Sequence, residues 1–146
     1  MPRPTWIHDD GGRAAAGFKG HTGDCGARAV AIATGRPYQE VYDAINALAA
    51  RERRGSRKRG VSNARTGVYG PTMRRLMAAF GWVWTPTMRI GSGCKVHLRA
   101  DELPSGRLVV ALSKHYAAVV DGVVHDLYDP SRDGTRCVYG YWTAPV

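Results

Sequence analysis

His115-Tyr116-Ala117-Ala118-Val119-Val120-Asp121-Gly122-Val123-Val124-His125-Asp126-Leu127-Tyr128 reads as two strands joined by a tight turn. Asp-Gly is a strong signal for a two-residue hairpin, because both residues tolerate the left-handed backbone such turns require. The turn sets the register: Val120 faces Val123, Ala117 faces Asp126, and His115 faces Tyr128. Directly paired residues share a face of the sheet, and so do residues two apart. His115 and Asp126 are therefore diagonal neighbours on one face, within hydrogen-bonding reach. His125 points to the other face, and Asp129 joins it if the register continues.

Outward from the hairpin, Arg107-Leu108-Val109-Val110-Ala111-Leu112 reads as a buried strand. Cys137 to Trp142 reads as a last strand, and Trp82-Val83-Trp84 as a short early one. Residues 85–106 are a long connection broken by Gly91, Gly93 and Pro104, with a single helical turn at Asp101-Glu102-Leu103. The first half is helical. One helix runs from Cys25 to about Thr34, with Gly35 suited to its C-terminal cap. A second opens at Pro37 and carries Val41, Ile45, Leu48 and Ala49 at helical spacing. A third spans Pro71 to Phe80, with Met73, Leu76, Met77 and Phe80 as its stripe and Gly81 as its stop. Residues 1–22 read as irregular, anchored by Trp6 and Phe18, and 51–69 as a basic exposed loop. Helices first and an antiparallel sheet second make an α+β layout. The 146 residues suit one domain over the whole chain.

Gly23-Asp24-Cys25-Gly26-Ala27-Arg28-Ala29-Val30-Ala31-Ile32-Ala33 places a cysteine at the start of the first helix. Asp24 is a favoured N-cap, whose carboxylate is expected to accept the N–H of Gly26 or Ala27. The positive end of the helix dipole stabilises a thiolate at Cys25, and the thiolate is the nucleophilic form. A thiol at a helix end, with an imidazole held by a carboxylate, makes up a nucleophile, a base and an orienting group. On that reading Cys25 attacks, His115 moves the proton and Asp126 orients the ring. The competing reading of Cys25 is a buried cysteine acting as a small hydrophobe.

Composition narrows the rest. No apolar run approaches the roughly 18 residues of a membrane-spanning helix, and the N-terminus has no apolar signal-peptide core. The three cysteines, at 25, 94 and 137, are odd in number and widely spaced. They argue against a disulfide framework and for a reducing, cytoplasmic setting, with Cys94 and Cys137 as packing residues. Cys94-Lys95-Val96-His97 has ligand-like spacing but no second close pair, so no metal site is expected. No phosphate-binding or dinucleotide motif occurs, and no cofactor is expected. The net charge of +9 concentrates around Arg51, Arg53, Arg54, Arg57, Lys58, Arg59 and Arg65. Two readings stand for segment 51–65: a solvated loop, or a weak contact with phosphates or an acidic partner. No aromatic residues are interleaved, so base stacking is not indicated.

Asp24-Cys25-Gly26 resembles the Asp-Cys-Gly motif of the peptidases that trim bacteriocin leaders, within the papain-like cysteine peptidase superfamily. His115-Tyr116-Ala117-Ala118-Val119-Val120 resembles their histidine strand, and Val124-His125-Asp126-Leu127-Tyr128 the strand that carries the orienting Asn or Asp. The resemblance implies a papain-like fold, with N-terminal helices packed on a C-terminal antiparallel sheet. It also implies thiol-dependent hydrolysis or acyl transfer on a peptide or protein. Asp129-Pro130 resembles the Asp-Pro of the leader peptidases, so Asp129 competes with Asp126 for the third position; the pairing argument favours Asp126. Papain relatives carry an oxyanion-hole glutamine six residues before the nucleophile, where this chain has Lys19. Lys19, His21, Thr22 or the Cys25 backbone N–H are the candidates for that role. Through Gly17-Phe18-Lys19-Gly20, Gly23-Asp24-Cys25, Gly35-Arg36-Pro37-Tyr38, Ile90-Gly91-Ser92-Gly93-Cys94 and Asp121-Gly122-Val123-Val124-His125-Asp126, the chain as a whole resembles small proteins of bacteriophages and prophages, a likeness that implies a host-cytoplasmic protein but no activity. The alternative function is then a catalytically degenerate papain-like fold that binds a host protein or nucleic acid.

Overall fold

The Asp121-Gly122 turn forms with φ of 49° and 80°. It joins the strands β5 (His115–Val120) and β6 (Val123–Asp126), the numbering being that of chain order. Their register pairs Val120 with Val123 and Ala118 with His125, as the turn requires. The computed structural model describes residues 5–19, 23–52, 61–89 and 91–145. Strand β4 (Arg107–Leu112) pairs antiparallel with β5. β8 (Gly140–Thr143) pairs with β4, and β2 (Val83–Pro86) with β8. β1 (Thr5–His8) closes the other edge, giving the six-stranded order β1-β6-β5-β4-β8-β2.

The sheet is mixed rather than antiparallel, because β1 runs parallel to β6, Thr5 opposite Val123 and His8 opposite Asp126. This corrects the expectation of an irregular N-terminus over 5–8. Its four residues are all exposed, so no buried alternation betrays a strand; the free edge of β6 recruits it. The expected final strand over 137–142 is also divided. β7 (Cys137–Val138) pairs with β3 (Val96–His97) in a separate two-stranded ribbon, and only β8 joins the main sheet.

Three helices fill the first half: α1 (Cys25–Thr34), α2 (Tyr38–Ala50) and α3 (Gly70–Ala79). Gly35 caps α1 in the left-handed conformation, φ 74°, where a side chain would be strained. The helices cover one face of the sheet. There Val30, Ile45, Met73, Leu76 and Met77 pack with Val109, Ala118 and Trp142. The other face is covered by Leu98, Leu103 and Val138, packed on Leu108, Val110, Val119 and Val124. Burial on both faces explains why β4 is a continuous apolar run rather than an alternating one.

Two further expectations change. Residues 61–69 are not simply an exposed loop. Ser62 and Ala64 are buried; Asn46 accepts the Ala64 N–H at 2.9 Å, and the Ser62 and Thr72 hydroxyls meet at 2.6 Å. Polar side chains of neighbouring helices thus satisfy a turn that composition alone marks as loop. Cys94 and Cys137 form a disulfide, with Cα atoms 5.7 Å apart. The β3–β7 pairing, His97 opposite Cys137, brings together cysteines separated by 43 positions. The pair removes the argument for a reducing compartment, since such bridges persist in oxidising surroundings. Among the described residues, no helix is long and apolar enough to cross a membrane.

Candidate active site

Cys25 opens α1, and its thiol is the free one among the three cysteines. His115 is the first residue of β5 and Asp126 the last of β6, so both stand at the same end of the hairpin. The diagonal contact read from the turn register is present: His115 Nε2 lies 2.6 Å from Asp126 Oδ2. The Cys25 thiol hydrogen-bonds His115 and also receives the backbone N–H of Tyr116. With Nε2 turned to the carboxylate, Nδ1 is the ring nitrogen left for the thiol. The imidazole therefore stands between thiol and carboxylate.

Electrostatics polarise the pair. Burial pushes the Cys25 thiol up, but the His115 hydrogen bond and charge, the Tyr116 N–H and the Arg28 guanidinium outweigh it; the net shift is downward. Burial pushes His115 down, but hydrogen bonds to Asp126 and Cys25 and their negative charge prevail, raising it to about 9. The two shifts run in opposite directions, both toward a thiolate–imidazolium pair.

Asp126 is held from several sides. Its Oδ1 accepts the Leu127 N–H at 2.7 Å and faces Arg28 at 3.4 Å. Its backbone carbonyl accepts the Asp9 N–H at 3.0 Å and the Trp6 indole N–H at 3.1 Å, both supplied by β1 and the residue after it. Arg28 also pairs with Asp24. This corrects the role expected for Asp24: its carboxylate makes no N-cap hydrogen bond. Wholly buried, it takes charged and polar partners instead, namely Arg28, the Tyr38 hydroxyl at 2.6 Å and Arg13 at 3.4 Å. Burying a carboxylate favours a full countercharge over a backbone dipole. Arg28 is the site residue that sequence reasoning missed. Its signal was present, since Asp24 and Arg28 are spaced i, i+4 on one helix.

A cleft of about 620 Å³ opens at the thiol. Segment 66–70, the β4–β5 turn, Leu127 and Tyr128 line it together with Cys25 and His115. The chain reaches it through Gly23, whose N–H bonds the Arg65 carbonyl at 2.8 Å. A Cβ on Gly23 would lie 2.6 Å from the Thr66 carbonyl oxygen, so the approach needs glycine.

The other candidates separate. Asp129 is exposed and its carboxylate accepts the Ser131 N–H at 2.9 Å, away from His115 in a local turn. Lys19 is exposed and does not line the cleft; its carbonyl accepts from Arg65 at 2.9 Å. His21, Thr22, Arg53, Arg54, Arg57, Lys58 and Arg59 lie outside the described residues. His97 meets Glu102, five positions on, at 3.1 Å, and His125 meets Asp9, 116 positions away, at 3.0 Å. Among the described residues, no group of three or more His, Cys, Asp and Glu could hold a metal ion. No known family, curated protein or solved structure matches this chain.

Proposed function

We propose that the protein is a cysteine-dependent hydrolase or acyltransferase acting on an amide bond in a peptide or protein, through Cys25, His115 and Asp126. The observation that carries this reading is the His115 ring standing between the Cys25 thiol and the Asp126 carboxylate, at a helix N-terminus open to a cleft. A papain-like arrangement is part of the proposal. It is supported by a nucleophile at the start of a helix, a histidine at the start of a strand, and an aspartate on the next strand.

The chemistry follows from the charges. The Cys25 thiolate adds to the substrate carbonyl carbon, and the carbonyl π electrons move onto oxygen. The Cys25 backbone N–H, at the unsatisfied end of α1, donates to that oxyanion. The C–N bond then breaks as the His115 imidazolium gives its proton to the leaving amine. A thioester remains on Cys25. Neutral His115 takes a proton from water, or from an acceptor amine, as it attacks the thioester. The C–S bond breaks with its electrons returning to sulfur, the acyl group leaves as acid or new amide, and His115 keeps the proton, restoring the thiolate–imidazolium pair. Asp126 keeps the ring aligned throughout.

Alkylation tests the reading without a known substrate. With the disulfide intact, iodoacetamide should modify Cys25 with an apparent pKa below the ordinary thiol value of about 8.5. His115→Ala should return that pKa toward the ordinary value. An unshifted thiol, or one indifferent to His115, overturns the proposal and leaves the binding-protein alternative.

A further inference from the structure

The charges around the cleft are one-sided. Its lining includes Arg28, Lys114 and His115, and no aspartate or glutamate. Arg28 is committed to Asp24 and Asp126, and His115 to Asp126 and Cys25. Lys114 has no ion-pair partner among the described residues, and its side chain is exposed beside His115. Arg74, exposed on α3, likewise has no ion pair among the described residues. One of its terminal nitrogens lies 3.7 Å from where a Cβ on Gly70 would stand, and its charge reaches Tyr116; both residues line the cleft. Cations thus border the cleft from the helical half and from the sheet.

Lys114 also stands in an unusual backbone conformation, as Arg132 does away from the cleft lining. It is one of four described non-glycine residues with positive φ, at 56°, in the turn between β4 and β5. The others are Asp121, Arg132 and Asp133, of which the aspartates suit that region through their short polar side chains. A lysine has no such advantage, and strained backbone of this kind collects at functional sites.

We propose that the cleft selects acidic peptides, with Lys114 and Arg74 as specificity-determining cations that receive an Asp or Glu carboxylate near the scissile bond. This rests on the thiol-hydrolase reading of the same site. The two cations act on the substrate's side chain and take no part in bond breaking.

Iodoacetate and iodoacetamide alkylate the same sulfur, but only the first carries a carboxylate. Their rate ratio at Cys25 therefore reports the field at the thiol. We would measure it near neutral pH at low salt, without reductant, in the parent, Lys114→Gly, Arg74→Gln and the double variant. Glycine suits the left-handed turn, so Lys114→Gly removes the charge without threatening the fold. Lys95→Gln, an exposed lysine that does not line the cleft, controls for net charge. The double variant should lower the ratio roughly three- to tenfold, high salt should erase the difference, and Lys95→Gln should keep the parent ratio. If iodoacetamide still reports a lowered thiol pKa but the ratio is unmoved in the double variant, the acidic-peptide proposal fails and the hydrolase reading stands. An equal fall in Lys95→Gln also overturns it. A thiol with an ordinary pKa defeats both.

Discussion

Asp126 ends β6 with its two carboxylate oxygens turned to different partners. Oδ2 holds His115, while Oδ1 takes the Leu127 N–H and faces Arg28. Asp126→Ala should therefore abolish the lowered thiol pKa at Cys25, since the ring loses both orientation and its stabilising charge. Asp129→Ala should leave that pKa alone and lower only the melting temperature, through its turn. Titrating alkylation in both variants decides between them, and the reverse pattern would move the third position to Asp129. The raised His115 value has a consequence for stability as well. A folded value of about 9 above an ordinary 6.5 stabilises the fold fully below pH 6.5, and that contribution is lost as pH rises through 9. Arg28 invites a harsher test. Its guanidinium is the buried countercharge joining Asp24 to Asp126. Arg28→Met leaves two buried carboxylates without it, and should cost about 3–5 kcal/mol in denaturant unfolding. A loss below 1 kcal/mol would mean that Arg28 is not what holds these carboxylates.

At the scale of elements, the cleft depends on how α1 begins. The residue before Asp24 presses against the turn at Thr66, with space for a hydrogen but not a methyl group. Gly23→Ala should push the start of α1 away from segment 66–70 and slow alkylation at Cys25 more than it lowers the melting temperature. Equal effects on both would make Gly23 a packing residue only. The hairpin was legible because turn chemistry is local: Asp-Gly fixes the register, and the register fixes which side chains are neighbours. α1, α2 and β4 were legible for the same reason, their periodicity or apolar run being carried by adjacent residues. β1 was not. Its residues Thr5-Trp6-Ile7-His8 are all exposed, and only the open edge of β6 makes them a strand.

Over the whole molecule, one covalent link ties the ribbon of β3 and β7 together, and Cys25 stays outside it. Thiol titration of unfolded protein should therefore count one free cysteine without reductant and three with it. Reduction should destabilise the fold by about 2–4 kcal/mol, the usual scale for a bridge closing a long loop. Three free thiols in untreated protein would contradict the pairing.

The sequence by itself determined the α+β order, the hairpin and the nearness of His115 to Asp126. Each depends on residues close together in the chain or related by one tight turn. It also marked Cys25 as a helix-end thiol. Only the tertiary structure decided that this thiol meets the imidazole, that Arg28 reaches Asp126, that β1 supports Asp126, and that Cys94 reaches Cys137. These contacts join segments tens of residues apart. Spacing along the chain carries no information about such pairs until packing on the two faces of one sheet brings them together.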